Sequence, residues 1–372
     1  MLKKKPDVLR VQPSNRLFTL FALFGSLILS SLSFAATEEN KYLDKALYIK
    51  DAMQSSSPKK SAQSEPACIR LSRGPGVALE EQNPGLHQLL ADVMEHLSKR
   101  ESKGFQSLFH PRVKVEHDIG ERIFSILSHR YDQPWNFSVY RVWALHHPAK
   151  DRTNYSCDDD PGFTISSRYG YERQYAAWLQ VMGKNELGRI FLAISPVEDR
   201  LWITGFHIQQ WTHLEHDWEH WTRLGNEALE KKDQLQAYFH YDVAQKLLVG
   251  GDFVEFAARD KIIEQRDLLF TRESFTKNIQ EVLKDSEVVY VATILSRDGT
   301  GLLVRERLKE VPSTHDLQKK CQEHGKALLA KGRLKGDGGI RCSFIVPGEE
   351  IDREGQLGGF YFTQKELGSE LK

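Results

Sequence analysis

The chain is predicted to be an α+β protein, and three features of its 372 residues predict it. Apolar residues recur at helical spacing between 84 and 97, then alternate with a period of two over four later stretches. Small and apolar residues at 221–244 fit two closely packed antiparallel helices. After 285 the order strand, tight turn, strand, helix, strand, strand follows. A chain this long exceeds one ordinary core, so two or three domains are expected. Hydrophobic residues at 40% and charged residues at 27% exclude fibrous, collagenous and wholly disordered classes.

Lys3, Lys4, Lys5, Arg10 and Arg16 precede a charge-free apolar run, Leu17 to Phe34, that closes on Ser33-Phe34-Ala35-Ala36. A basic segment, an apolar segment and small residues before a cut after Ala35 make the order of a secretory signal peptide. Residues 1–35 are therefore read as a signal peptide, and the protein as periplasmic or secreted. The alternative is an uncleaved anchor, because about 18 apolar residues just span a bilayer. Membrane contact is expected only if cleavage fails. The formal charge of the whole chain is zero, so the basic leader offsets a mildly acidic body. Such a body argues against nucleic acid as a partner.

Four cysteines follow: Cys68, Cys157, Cys321 and Cys342. An even number in an oxidising compartment reads as disulfides. Their grouping favours Cys68–Cys157 and Cys321–Cys342 among the three connectivities. None lies in a CxxC, so neither a redox pair nor a zinc knuckle is indicated.

Residues 36–82 are polar and read as a flexible tether. An α+β domain is expected over 83–212. Asn83-Pro84 starts its helix, and Leu86, Leu89, Leu90, Val93 and Leu97 form the buried face. Val113 and Val115 suggest a brief strand, and Ile119 to Leu127 a shorter helix. Phe137 to His146, Tyr175 to Met182, Arg189 to Ser195 and Leu201 to Gln210 read as antiparallel strands. This element order, with Leu108-Phe109-His110-Pro111-Arg112-Val113 leaving the first helix, resembles the nuclear transport factor 2-like (SnoaL-like) family over about 84–210. The resemblance implies a curved antiparallel sheet wrapped on the long helix, with a pocket at its wide end. Tyr140, Trp143, Trp178 and His207 are the candidate ligand-pocket residues, with His146 and His147 nearby in sequence.

Trp221, Leu224, Gly225, Ala237, Tyr241 and Ala244 have the spacing of one tetratricopeptide repeat, so residues 217–250 resemble that family's helical hairpin. Val249-Gly250-Gly251 stands where the repeat closes on Pro, and no second copy exists. The hairpin, with a capping helix inside 213–275, is expected to serve packing more than peptide binding. Residues 285–372 read as a small ββαββ domain closed by Cys321–Cys342, with a hairpin turn at Arg297-Asp298-Gly299-Thr300-Gly301.

His213, His216 and His220 fall on one face if the segment is helical, a spacing suited to zinc or copper. Trp211, Trp218 and Trp221 interleave them and HExxH is absent, which favours a structural role and no cofactor. Asp158-Asp159-Asp160 lacks the spaced ladder of a calcium loop. The reading is an exported, non-enzymatic binding or assembly protein, with an envelope protein or a small apolar ligand as partner. The alternatives are a hydrolase or isomerase using His207 or His146 as base, and a metal-binding protein using the 213–220 histidines.

Overall fold

A computed structural model describes residues 67–72, 77–111, 119–146, 153–157, 162–167, 173–296, 299–335, 338–348 and 356–369. The expected signal peptide, most of the tether, the strand at Val113–Val115 and the Asp158–Asp160 loop lie outside them. Within the stretch read as tether, β1 (Ala67–Ser72) and α1 (Val77–Gln82) form instead. β1 pairs antiparallel with β2 (Asn136–His146). Its Cys68 is bonded to Cys157 of β3 (Thr153–Cys157), so the polar composition upstream ends sooner than it reads.

The long helix, α2 (Pro84–Lys99), is capped by the Asn83 side chain, which accepts the Leu86 N–H at 3.1 Å. Leu86, Leu89, Leu90, Val93 and Leu97 are its buried residues, the face expected from their spacing. Short helix α3 (Ser102–Gln106) and α4 (Ile119–Arg130) follow. β5 (Arg173–Met182), β6 (Leu187–Val197) and β7 (Arg200–Gln210) complete a five-stranded sheet in the order β1-β2-β5-β6-β7, antiparallel throughout. α2 touches both β2 and β7. Those strands would stand about 14 Å apart in a flat sheet, so the sheet curls around the helix. Val142, Ala177, Leu179, Ile190, Leu192, Ile203 and Phe206 fill the space between them.

The opposite face of this sheet is covered as well. A small sheet, β3-β4-β8, places β4 (Phe163–Ser167) between β3 and β8 (Val254–Phe256). The helical hairpin of α5 (Trp218–Glu230) and α6 (Gln234–Leu247) packs beside it. Gly225 is needed where the helices meet: a Cβ there would stand 2.5 Å from the Tyr241 ring. Asp217 and Asp233 cap the two helices, accepting the His220 and Gln236 N–H groups.

α7 (Ala257–Leu269) and α8 (Arg272–Gln280) lead to a four-stranded C-terminal sheet. β9 (Glu287–Ser296) and β10 (Gly299–Arg307) form the hairpin. α9 (Thr314–Ala330) crosses over to β11 (Gly339–Ile345), parallel to β10, and β12 (Gln356–Thr363) and α10 (Gln364–Ser369) finish the chain. Cys321 of α9 is bonded to Cys342 of β11.

Helix α6 belongs to two cores. Ala237, Tyr241, Ala244 and Leu247 pack toward the large sheet, while Leu235, Tyr238 and Phe239 pack with Phe275, Ile279, Leu302 and Phe344. Asp242 of the same helix is buried and accepts Lys246 Nζ and Arg266 Nη1, each at 2.7 Å. It also accepts the hydroxyl of Thr293 on β9 and, at 3.1 Å, the Gln245 amide. Burial disfavours its charge, but the two cations overcome that and hold the carboxyl well below the usual range.

Candidate functional site

The hairpin-facing side of the large sheet carries an aromatic layer. Trp143 and Trp178 meet edge to face at 5.2 Å between ring centroids, and Phe163 of β4 lies 5.2 and 4.7 Å from them. Phe256 of β8 stacks on Trp178 at 5.9 Å, and Trp211, just after β7, stands 6.3 Å from Trp178. The strand register explains the layer. Partners run Arg141–Trp178–Phe191–His207 across four strands, so every second residue joins the same face. The register of β2 against β5 slips between Val139 and Arg141. This bulge turns both Tyr140 and Arg141 toward the layer, with the Arg141 guanidinium 4.6 Å from the Tyr140 ring.

Arg189 of β6 lies inside this layer. Its guanidinium carbon is 3.1 Å from the Trp211 ring centroid, 4.3 Å from Tyr140 and 5.0 Å from Trp178. Only 6% of its surface is open, and among the described residues no carboxylate pairs with it. Burial pulls its pKa down to about 9, with the Tyr140 hydroxyl the main group favouring the charge. Three further donors in the same core have no acceptor among the described residues: Trp143 Nε1, Trp178 Nε1 and the Tyr155 hydroxyl. Burial pushes the Tyr155 phenol up to about 12, which keeps it a neutral donor. Beside the layer, between Ile165, Phe191 and Phe253, a cleft has room for about one water molecule.

Of the pocket residues expected from sequence, the structure brings Tyr140, Trp143 and Trp178 into this layer. Trp143 and Trp178 are buried there, covered by Phe163 and Phe256. His207 lies on the same face, but its Nε2 bonds the Val249 carbonyl at 3.1 Å under the turn at Gly251. Burial lowers its pKa to about 4, with Arg130 reinforcing the shift. His146 sits apart at the end of β2, opposite Arg173, so the two candidate bases do not form one site. No family model, curated protein or solved structure matches this chain.

The helical face expected for His213, His216 and His220 does not form. His213 and His216 close a tight turn through reciprocal backbone bonds of 2.8 and 3.1 Å, and α5 begins only at Trp218. Leu214 and Glu215 hold φ of 51° and 66°, a conformation neither side chain favours. Glu186 holds them there, accepting the Leu214 N–H at 2.8 Å. His213 turns inward and bonds the Thr300 hydroxyl of β10 at 3.0 Å, and burial lowers its pKa to about 4. The His216 and His220 rings lie flat on each other at 3.7 Å and 4°, so their lone pairs run side by side without converging. Among the described residues no group of three or more His, Cys, Asp or Glu is arranged to hold a metal ion.

Sequence reasoning missed a second polar cluster. Glu306 Oε2 and Ser286 Oγ approach His324 Nε2 at 2.8 and 3.2 Å, and Lys320 holds the other carboxylate oxygen. A relay from acid to hydroxyl needs opposite ring nitrogens. Here both meet the same one, so the cluster ties α9 to β10 and leaves the hydroxyl unactivated.

Proposed function

We propose that this chain is an exported binding protein of an oxidising compartment, whose ligand or partner reaches the aromatic layer of the five-stranded sheet by displacing its Phe163 and Phe256 cover. The observation that carries the reading is the set of three buried donors without acceptors, Trp143 Nε1, Trp178 Nε1 and the Tyr155 hydroxyl. Each unpaired buried donor costs about 1–3 kcal/mol, and phenylalanine at any of the three positions would avoid that cost. An acceptor arriving with a ligand recovers it. The basic and apolar leader supports export, and both disulfides fit an oxidising compartment. The likeness in element order to the nuclear transport factor 2-like family, with a sheet curled on one long helix, accords with a binding role by analogy. In this reading the hairpin is a brace between sheets, consistent with α6 filling two cores.

Native mass spectrometry of the protein purified from its own host tests the proposal. A non-covalent added mass on the mature chain, lost in Trp178→Phe, is the expected result. A bare chain from the host, with the same mass in both variants, refutes it.

A further inference from the structure

We infer that the Cys68–Cys157 disulfide is a redox latch: intact, it pins the two-stranded β3–β4 flap over the aromatic layer, and its reduction by a dithiol releases the flap. The inference rests on the binding role proposed above and assigns what regulates access to that layer.

The connectivity makes a covalent strut. Cys157 is the last residue of β3, and its cross-strand partner on β4 is Phe163, the ring that covers Trp143 and Trp178. Cys68 lies on β1 opposite Leu145, which is two residues from Trp143 on the same strand and face. The bond between the two cysteines therefore fixes Phe163 to the sheet that it covers. Among the described residues β4 is otherwise tied by three pairs with β8: Phe163–Phe256, Thr164–Glu255 and Ile165–Val254. The Ser166 N–H donates to the Phe253 carbonyl at 2.7 Å, and the Ser167 hydroxyl donates to Gln174. None of these ties is covalent. β8 has no other strand partner among the described residues, so Phe256 loses its ladder when β4 leaves.

The closed flap also carries a standing cost. Trp143 Nε1, Trp178 Nε1 and the Tyr155 hydroxyl lack acceptors beneath it, and an unmet buried donor is destabilising. Packing under β4 is incomplete, because the one-water cleft lies between Ile165, Ser166 and Ser167 and the sheet residues Ala176, Phe191 and Ala193. The disulfide holds the flap closed against that cost. Once it is cut, local opening supplies all three donors with water or with ligand.

Access decides which disulfide responds. Cys68 is half-buried, whereas Cys157, Cys321 and Cys342 are buried. A thiolate of the reductant attacks Cys68 Sγ; the S–S bond breaks, and Cys157 leaves as a thiolate and takes up a proton. The reductant's second thiol then attacks the mixed disulfide, departing as its own disulfide and freeing Cys68 as a thiol. Two electrons and two protons pass from the dithiol to the cysteine pair.

Dithiothreitol, titrated against the full mature chain, is the probe. Alkylation and peptide mapping follow each disulfide, and hydrogen exchange follows β3 and β4 with β6 and β10 as references. Cys68–Cys157 is expected to open at lower reductant than Cys321–Cys342. At that point the β3 and β4 amides should exchange about tenfold faster while β6 and β10 stay protected. Acrylamide quenching of tryptophan emission should rise in step. Prior cleavage of Cys321–Cys342 overturns the inference, as do unchanged exchange in β3 and β4 or unchanged quenching. Loss of protection in β6 and β10 together with the flap also overturns it, by making the bond a staple of the whole fold. If reduction opens the flap but the host-purified chain carries no added mass, the latch stands and the binding role falls. If that chain carries the mass and reduction leaves β3 and β4 protected, the binding role stands and the latch falls.

Discussion

Replacing Asp242 should produce a large single-residue loss of stability. Its carboxylate accepts Lys246, Arg266, Gln245 and Thr293, and these partners lie on α6, α7 and β9. Lys246 is 7% exposed and Arg266 14%, so removing the acid leaves two cations with little access to water. Breaking a buried ion pair from one side costs about 3–5 kcal/mol, mostly through the charge left behind. Asp242→Ala is therefore expected to lose about 4 kcal/mol. Lys246→Met should lose less, because Arg266 still neutralises Asp242. The double variant Asp242→Leu, Lys246→Met should recover much of the loss, since Arg266 retains Asp267 at 2.7 Å. Urea unfolding followed by circular dichroism measures all three, with hydrogen exchange at Thr293 locating the opening. A loss below about 1 kcal/mol for Asp242→Ala, or a double variant no better than that single one, would refute the argument.

Acid should weaken the fold through its buried histidines. Burial holds His207 and His213 at about 4, below the ordinary value near 6.5, so between those limits the unfolded chain takes up protons that the folded chain excludes. Stability is full above about pH 6.5 and declines toward pH 4, by on the order of 3 kcal/mol apiece. Thermal melts from pH 7.5 to 4.5 should show the slope, reduced in a His207→Gln, His213→Gln double variant; an unchanged slope in that variant sinks the attribution. The disulfides differ in reach, joining residues 89 and 21 apart. By loop entropy, Cys68→Ser with Cys157→Ser should cost about 4.6 kcal/mol and Cys321→Ser with Cys342→Ser about 3. Denaturant midpoints in the reverse order would contradict that account.

The long repetitive patterns were legible. The buried stripe of α2, the alternation of β5, β6 and β7, and the small residues of the hairpin each specify a local geometry that the structure keeps. The short strands were not, because β3, β4 and β8 span five, five and three residues, too few for a period to stand out. The turn at His213–His216 was hidden for another reason. Leu214 and Glu215 carry no turn signature, and what holds them is Glu186, 28 residues earlier than Leu214. In the candidate site, Tyr140, Trp143 and Trp178 could be nominated as strand aromatics. Arg189 could not, because a missing counter-charge is a property of what surrounds a residue. The signal that was present is an arginine inside the apolar run Leu187 to Ile194.

A helix shared between two cores also constrains how the sequence can drift. On α6, Tyr238 faces one core and Tyr241 the other, less than one turn apart. Any change in side-chain volume on one side shifts the helix against a close-packed neighbour on the other. Neither core can be enlarged or shrunk alone, so accepted substitutions along this segment should come as compensating pairs drawn from both sheets. For the same reason the C-terminal sheet is not a portable module: excising it at the loop before β9 would strip Leu235, Tyr238 and Phe239 from its interior.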